Sequence, residues 1–263
     1  MTRRSVFRGA AVVAGGVLVG GAIEVGDASS AFAAGEPAIH HRGHWNARGA
    51  KYRATVLDKR PDHIVVHHTA TTNSTDYSRY HAFRLSRAIQ RYHMDHNGWS
   101  DVGQQLTISR GGHIMEGRNR SLLAIRRREH VVGAHTASHN SHTIGIENEG
   151  SYASATPPGA LMVSLVETCA WLCYVYGLDP DHAIVGHRDY NFTSCPGDRL
   201  YSMLPEVRRS VRSRLAELQA RVRQLAPVDI AVEHRPSHPG VPQNERRELY
   251  YHGPAVGEEE APL

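Results

Sequence analysis

Cysteine is nearly absent from this sequence: three in 263 residues. So few exclude a small scaffold held by disulfides, and an odd number cannot all pair. No two of them stand in the CxxC spacing of a zinc ribbon. No internal repeat is visible, which excludes solenoids and arrays. The apolar run from Ala10 to Ile23 is too short and too rich in glycine for a comfortable bilayer span. Charge is close to balanced, with 30 Lys and Arg against 26 Asp and Glu and a formal net of +4. That excess gives no argument for nucleic acid as a partner. Histidine, by contrast, is plentiful at 19 residues, so a histidine at a strand end carries little information alone.

The first residues set the compartment in which the cysteines must be read. A basic start, an apolar Ala/Val/Gly/Leu run and Ala31-Phe32-Ala33 follow the order of an export signal with an A-x-A cleavage site. Thr2-Arg3-Arg4-Ser5-Val6-Phe7-Arg8 resembles the twin-arginine address of bacteria. Residues 1–33 are therefore expected to be removed on secretion to the cell wall or beyond. Their loss takes away three arginines and two acids and leaves +3. No stable membrane insertion is expected after that, and the mature chain is expected to be a monomer. Cys169 and Cys173 sit one helical turn apart and read as two buried apolar thiols. Cys195, in a Ser-Cys-Pro-Gly turn, is an unpaired thiol in an exported chain, and metal ligation is one reason for it.

Strands alternate with helices along the rest. His63 to His68, with Ile64-Val65-Val66, reads as a buried strand, followed by a polar loop from Thr69 to Thr75. Apolar residues at mixed three and four spacing predict a helix over 76–97, ended by Gly98. Gln105 to Arg110 and His113 to Glu116 read as strands joined at Gly111-Gly112. Val131 to His135 is a short strand or loop, and Thr143 to Glu149 another strand. Thr156 is expected to cap a helix that begins at the prolines and runs to Gly177. Ala183 to His187 is a last strand and Leu200 to Leu225 a last helix. The fold class is α/β (α+β): a central mixed β-sheet flanked by helices. Residues 34–59 read as a lead-in packed on the domain edge, 60–225 as the domain, and 226–263 as a disordered tail.

The chemistry concentrates where strands end. A catalytic zinc takes three protein ligands, usually His and Cys, and keeps a fourth position open. His67-His68 closes the first strand. His187 closes the last, and Cys195 follows after a loop long enough to turn back. Side chains alternate along a strand, so only one of His67 and His68 can face a given site, and periodicity does not choose between them.

IVVHHTATTN, GWSDVG, GAHTASHNSHTIGIENEG and GHRDYNFTSCPG occur in that order. The set resembles the zinc-dependent N-acetylmuramoyl-L-alanine amidases of type 2, the superfamily that includes phage amidases and peptidoglycan recognition proteins. The resemblance covers roughly residues 60–215. It implies the amidase/recognition-protein fold, Zn²⁺ as cofactor, and peptidoglycan or muramyl peptides as partner. It also implies His67, His187 and Cys195 as the metal ligands. Recognition proteins that have lost catalysis usually lack the cysteine, so its presence favours an enzyme.

Where many members carry a catalytic tyrosine after the GWSDVG segment, this chain has Gln104, which cannot shuttle protons. Glu147 is the candidate replacement, matching a glutamate of another branch of the family; Glu149, two residues on, ranks second on motif position alone. Thr193 matches a position that is lysine or threonine in the family and could hydrogen-bond a developing oxyanion. His135 and Asn140 match a groove-lining segment and are expected to contact substrate. His68, His93, His96, His139 and His142 are left as surface or packing residues. The arginines at 126–128 and in the last helix read as a solvated basic face. Three rivals remain: a module that binds muramyl peptides without cutting them, a wall protein with structural zinc, and a zinc peptidase acting within the stem peptide.

Overall fold

The computed structural model describes residues 35–225. The export-like segment and the tail lie outside the described residues. One six-stranded sheet organises the fold. Its strands are β1 (Ile39–His40), β3 (His63–His68), β4 (Leu106–Ile108), β5 (Ile114–Glu116), β7 (Thr143–Asn148) and β8 (Ile184–Gly186), in the order β1-β5-β4-β7-β3-β8. Only the β4–β5 hairpin is antiparallel; the other four pairings are parallel. β2 (Val56–Leu57) and β6 (His130–Val131) form a separate antiparallel pair. The mixed sheet matches the expectation. The lead-in does more than pack on an edge, because it supplies the edge strand β1 and the fully buried Trp45, whose Nε1 donates to the Glu116 carbonyl at 3.0 Å.

The helices are α1 (Arg79–Arg91), α2 (Ser121–Arg126), α3 (Gly159–Tyr176), α4 (Pro180–Ala183) and α5 (Asp198–Leu225). α1 starts three residues later than the pattern suggested. Asp76 accepts from the Ser78 N–H in a local turn, and Ser78 caps the helix by accepting from His81 N at 3.1 Å. The chain stays helical past Arg91 through a π turn at Tyr92–His96. Thr156 does not cap α3. Thr156 and Pro157 each precede a proline and so avoid the helical region, which delays the start, and Pro158 holds the cap position in an extended conformation. Gly177 ends α3 in the left-handed region, as expected. α3 is long and apolar enough to cross a membrane by composition, but 61% of it is buried inside this fold, so it is the core helix.

Strand alternation divides the sheet into two unlike faces. One carries Ile64, Val66, Ile144, Ile146, Leu106, Ile108 and Ile184, all buried in the main core with α3 and α5. Each such side chain contributes roughly 1.5–3 kcal/mol relative to exposure. Cys169 and Cys173 lie in this core as free thiols, as expected. The opposite face carries His63, Val65 and His67 on β3, in register with Thr143, Gly145 and Glu147 on β7 and with Thr107 on β4 beside Glu147. α1 packs over the far end of this face, with Leu85 and Ile89 against Trp45 and Met115. Apart from a small apolar cluster of Val65, Val185 and Tyr190, the remainder is polar although buried, and polar groups are buried only where partners or ligands hold them.

Candidate metal centre

The alternation settles which histidine of the His67-His68 pair enters the polar face. His67 shares it with Glu147, while His68 belongs to the other row and accepts from the Tyr152 N–H through Nδ1 at 3.2 Å. The chain leaves β8 at Gly186, and its next residue, His187, opens a 3-10 turn instead of closing the strand. Asp189 fixes that turn by accepting from the Gly186 N–H at 2.7 Å. The loop then returns, and the Arg188 N–H donates to the Cys195 carbonyl at 3.0 Å. His67, His187 and Cys195 thereby converge: their donor atoms all lie within 4.8 Å of one another, and all three residues are buried.

The hydrogen bonds around the two histidines fix which nitrogen each offers. His135 Nε2 lies 3.3 Å from the Thr143 carbonyl and must donate to it, so His135 Nδ1 is an acceptor. That atom has one lone pair, approached by the Thr136 hydroxyl at 2.9 Å and by His67 Nε2 at 3.1 Å; the hydroxyl hydrogen can rotate away, whereas a His67 Nε2 without its proton would face the lone pair directly. His67 therefore carries its proton on Nε2, and its lone pair on Nδ1 faces Cys195 Sγ at 3.6 Å. On the other side, Asn191 directs its amide nitrogen at the Ala137 carbonyl, so its Oδ1 accepts from His187 Nε2 at 3.1 Å. His187 is left with Nδ1 as its lone-pair nitrogen. Outer partners that fix tautomer and ring orientation in this way are the usual companions of metal-bound histidines.

Cys195 completes a two-nitrogen, one-sulfur set. Its thiol is pushed up by burial first and by the nearby Glu147 second, and is drawn down by the His68 N–H, which points at Sγ from 3.4 Å. The thiol is thus neutral without a cation and gives up its proton when one binds. The donor types suit Zn²⁺, and three protein donors leave a coordination position for water or substrate.

Glu147 sits opposite His67 across the β3–β7 pair, 2% exposed, and its Oε2 has no hydrogen-bond partner among the described residues. Burial pushes its carboxyl well above the usual carboxylate range. Buried carboxylates without partners are rare in a structure and common at functional sites.

Residues 57–198 match the family model described as N-acetylmuramoyl-L-alanine amidase. This chain belongs to that family. It is 36% identical to the human N-acetylmuramoyl-L-alanine amidase over 188 residues, which are 69% of this chain and 31% of that protein. It is 31% identical to bovine (Bos taurus) peptidoglycan recognition protein 1 over 175 residues, 65% of this chain and 86% of that protein. The chain therefore spans only about a third of the mammalian amidase, but most of the recognition protein. Among solved structures, wild-type Drosophila PGRP-LB superposes with a TM-score of 0.55 at 26% identity, covering 63% of this chain and 91% of that one. PGRP-LE in complex with tracheal cytotoxin, a monomeric diaminopimelic acid-type peptidoglycan, superposes with a TM-score of 0.56 at 27% identity, covering 64% and 93%. The amidase/recognition-protein fold is thereby established, and the three converging donors all lie within the matched span.

The remaining positions singled out from the amidase motifs fall as follows. Glu149 leaves the site: its Oε1 pairs with His81 Nε2 at 2.5 Å and its Oε2 accepts from the Arg110 N–H at 2.7 Å. Thr193 Oγ1 accepts from the Cys195 N–H at 3.2 Å, shaping the loop and keeping its own proton to donate. Asn140 Oδ1 accepts from the His135 and Thr136 N–H groups at 2.7 and 3.1 Å, so it holds the loop that presents His135. His135 itself is buried against His67. Gln104 is buried and donates to Thr107 Oγ1 at 2.9 Å, beside Glu147 in register.

Sequence reasoning passed over Asn191 and Gly145. Asn191 could have been noticed as the polar residue one helical turn after His187. Gly145 shows its role only in three dimensions: a Cβ there would meet His135 Cγ and Nδ1 at 2.7 Å. The missing side chain makes the room in which His135 orients His67. Gly145→Ala is accordingly expected to weaken metal affinity about 10- to 100-fold, the usual cost of losing an outer-shell partner. Competition against a zinc-binding dye checks this; unchanged affinity would show that His135 is not needed to hold His67.

Proposed function

We propose that this chain is an exported zinc hydrolase that cuts the amide between the lactyl group of N-acetylmuramic acid and the L-alanine of the stem peptide. The observation that carries the reading is the convergence of His67, His187 and Cys195, the two histidine tautomers fixed, beside the buried Glu147 carboxyl, whose Oε2 has no hydrogen-bond partner among the described residues. The family gives the bond class, and a relative's complex with tracheal cytotoxin supports a muramyl-peptide ligand. The twin-arginine-like start supports export to the wall.

Zn²⁺ held by these three residues would supply Lewis acidity, lowering the pKa of a bound water from about 15.7 toward ~7 and balancing negative charge on the carbonyl oxygen. Glu147 accepts the proton of the attacking water and returns it to the leaving alanine nitrogen. A dication close by stabilises the carboxylate form that this role requires, against the burial that otherwise keeps the group protonated. Thr193, with its hydroxyl proton uncommitted, donates to the developing oxyanion. His135 and Asn191 hold the ligand rings in place, so no reorganisation is needed during turnover.

One observation favours the non-cutting alternative. Gln104 occupies the tyrosine position of the motif and spends its amide on Thr107, so it moves no proton. A digest of purified peptidoglycan separates the two readings. New N-terminal L-alanine, lost with chelator and restored by Zn²⁺, is the expected result. Retention of the protein on the wall with no new termini would leave recognition without catalysis.

A further inference from the structure

The polar face of the sheet carries a second set of donors at its other end. Asp62 and His63 enter β3 where His142 and Thr143 enter β7, and the Asp62 N–H donates to the His142 carbonyl at 2.9 Å. Asp62 Oδ1 accepts from His63 Nδ1 at 2.7 Å and from His142 Nδ1 at 2.8 Å. One donor atom from each of the three residues lies within 4.8 Å of the others, and all three residues are buried. His63 and His67 are four residues apart on one strand, about 13 Å at 3.3 Å per residue, so the two sets cannot share an ion.

We propose that Asp62, His63 and His142 form a second site for a divalent transition-metal ion of the zinc type. Two imidazole nitrogens and a carboxylate are a recognised three-donor set for such an ion, with no soft sulfur. The outer shell is in place: His142 turns its Nε2 to His139 Nδ1 at 3.1 Å, which leaves Nδ1 for the site. Tyr190 lays its ring against His63, His139 and His142, with centroids 5.8, 4.3 and 5.9 Å away. The observation that points to a ligand is Asp62 Oδ2. The residue is 4% exposed, yet this oxygen has no hydrogen-bond partner among the described residues. A cluster serving only to bridge two histidines through Oδ1 leaves that oxygen's desolvation uncompensated. A cation displacing the two Nδ1 protons and chelated by both carboxylate oxygens would satisfy it.

Cobalt(II) tests this, because a thiolate ligand adds a near-ultraviolet charge-transfer band and a nitrogen/oxygen site does not. The metal-free chain is titrated with Co²⁺ and dialysed to remove loosely held ions. Two Co²⁺ per chain are expected, with a thiolate band that accounts for one. Asp62→Asn should retain one ion and the full band. Cys195→Ala should retain one ion and no band. His142→Gln, with circular dichroism as a check on folding, should repeat the Asp62→Asn result. One retained ion in the unaltered chain with a full band, or two in folded Asp62→Asn, overturns the proposal. A single ion without a band, lost in Asp62→Asn and kept in Cys195→Ala, would instead overturn the first centre and leave the second standing.

Discussion

Replacing His67 with alanine should abolish retention of zinc and lower amide hydrolysis by at least about 10³-fold, because Lewis-acid catalysis supplies several kcal/mol and each 1.36 kcal/mol is tenfold in rate. The neighbouring substitution His68→Gln should keep both. The two residues are adjacent and both buried, so burial does not distinguish them. Direction does: His67 Nδ1 faces Cys195 Sγ at 3.6 Å, whereas the His68 ring serves the Tyr152 N–H. What His68 gives the centre is its backbone N–H, 3.4 Å from Sγ, which any non-proline residue supplies. Losing the bond to Tyr152 should cost stability of about 1–3 kcal/mol, visible as a lower Tm. The check is zinc content after dialysis together with turnover on a muramyl peptide. Zinc retained in His67→Ala but lost in His68→Gln would reverse the assignment.

That pair also shows what the sequence could and could not display. The run Ile64-Val65-Val66 announced a buried strand, and the ordered motifs pointed to His67, His187, Cys195 and Glu147. Period-two patterning was silent on which histidine faces the site, because β3 is buried on both faces and carries no polar/apolar contrast to read. The choice depends on pairing with β7, which puts His67 opposite Glu147 and the isoleucines of both strands on the core side. Boundaries failed where local chemistry overrode pattern, as at Pro158, where a proline pair delayed α3. The supporting shell was the least legible. His135, Asn191 and Gly145 act through ring orientation and empty volume, and neither has a sequence period. The same holds for Asp62, His63 and His142, which are 80 residues apart at their extremes and meet only because β3 and β7 begin side by side.

Glu147→Gln should lower turnover about 10²- to 10⁴-fold with zinc still bound, the range that a positioned general base contributes. It should also make the metal-free protein more stable at neutral pH than the unaltered chain, and the sign follows from burial. Unfolded, Glu147 titrates near 4.5; folded without a cation, burial raises it well above that. Between those two values the folded state binds more protons than the unfolded one. Stability contributed by the neutral carboxyl is therefore complete below about 4.5 and is lost as pH rises toward the folded value. The loss is at most about 1.4 kcal/mol per pH unit. Glutamine does not titrate, so the Tm of the metal-free variant should fall less between pH 5 and 8. Zinc should narrow the gap, since a nearby dication favours the ionised carboxylate and restores the protein's tolerance of it. Parallel Tm profiles would mean that burial does not hold Glu147 neutral in the metal-free fold, and full turnover in the variant would remove it from the proton path. The expected combination, a more stable protein that no longer cuts, is the mark of a buried charge retained for chemistry at a cost to the fold.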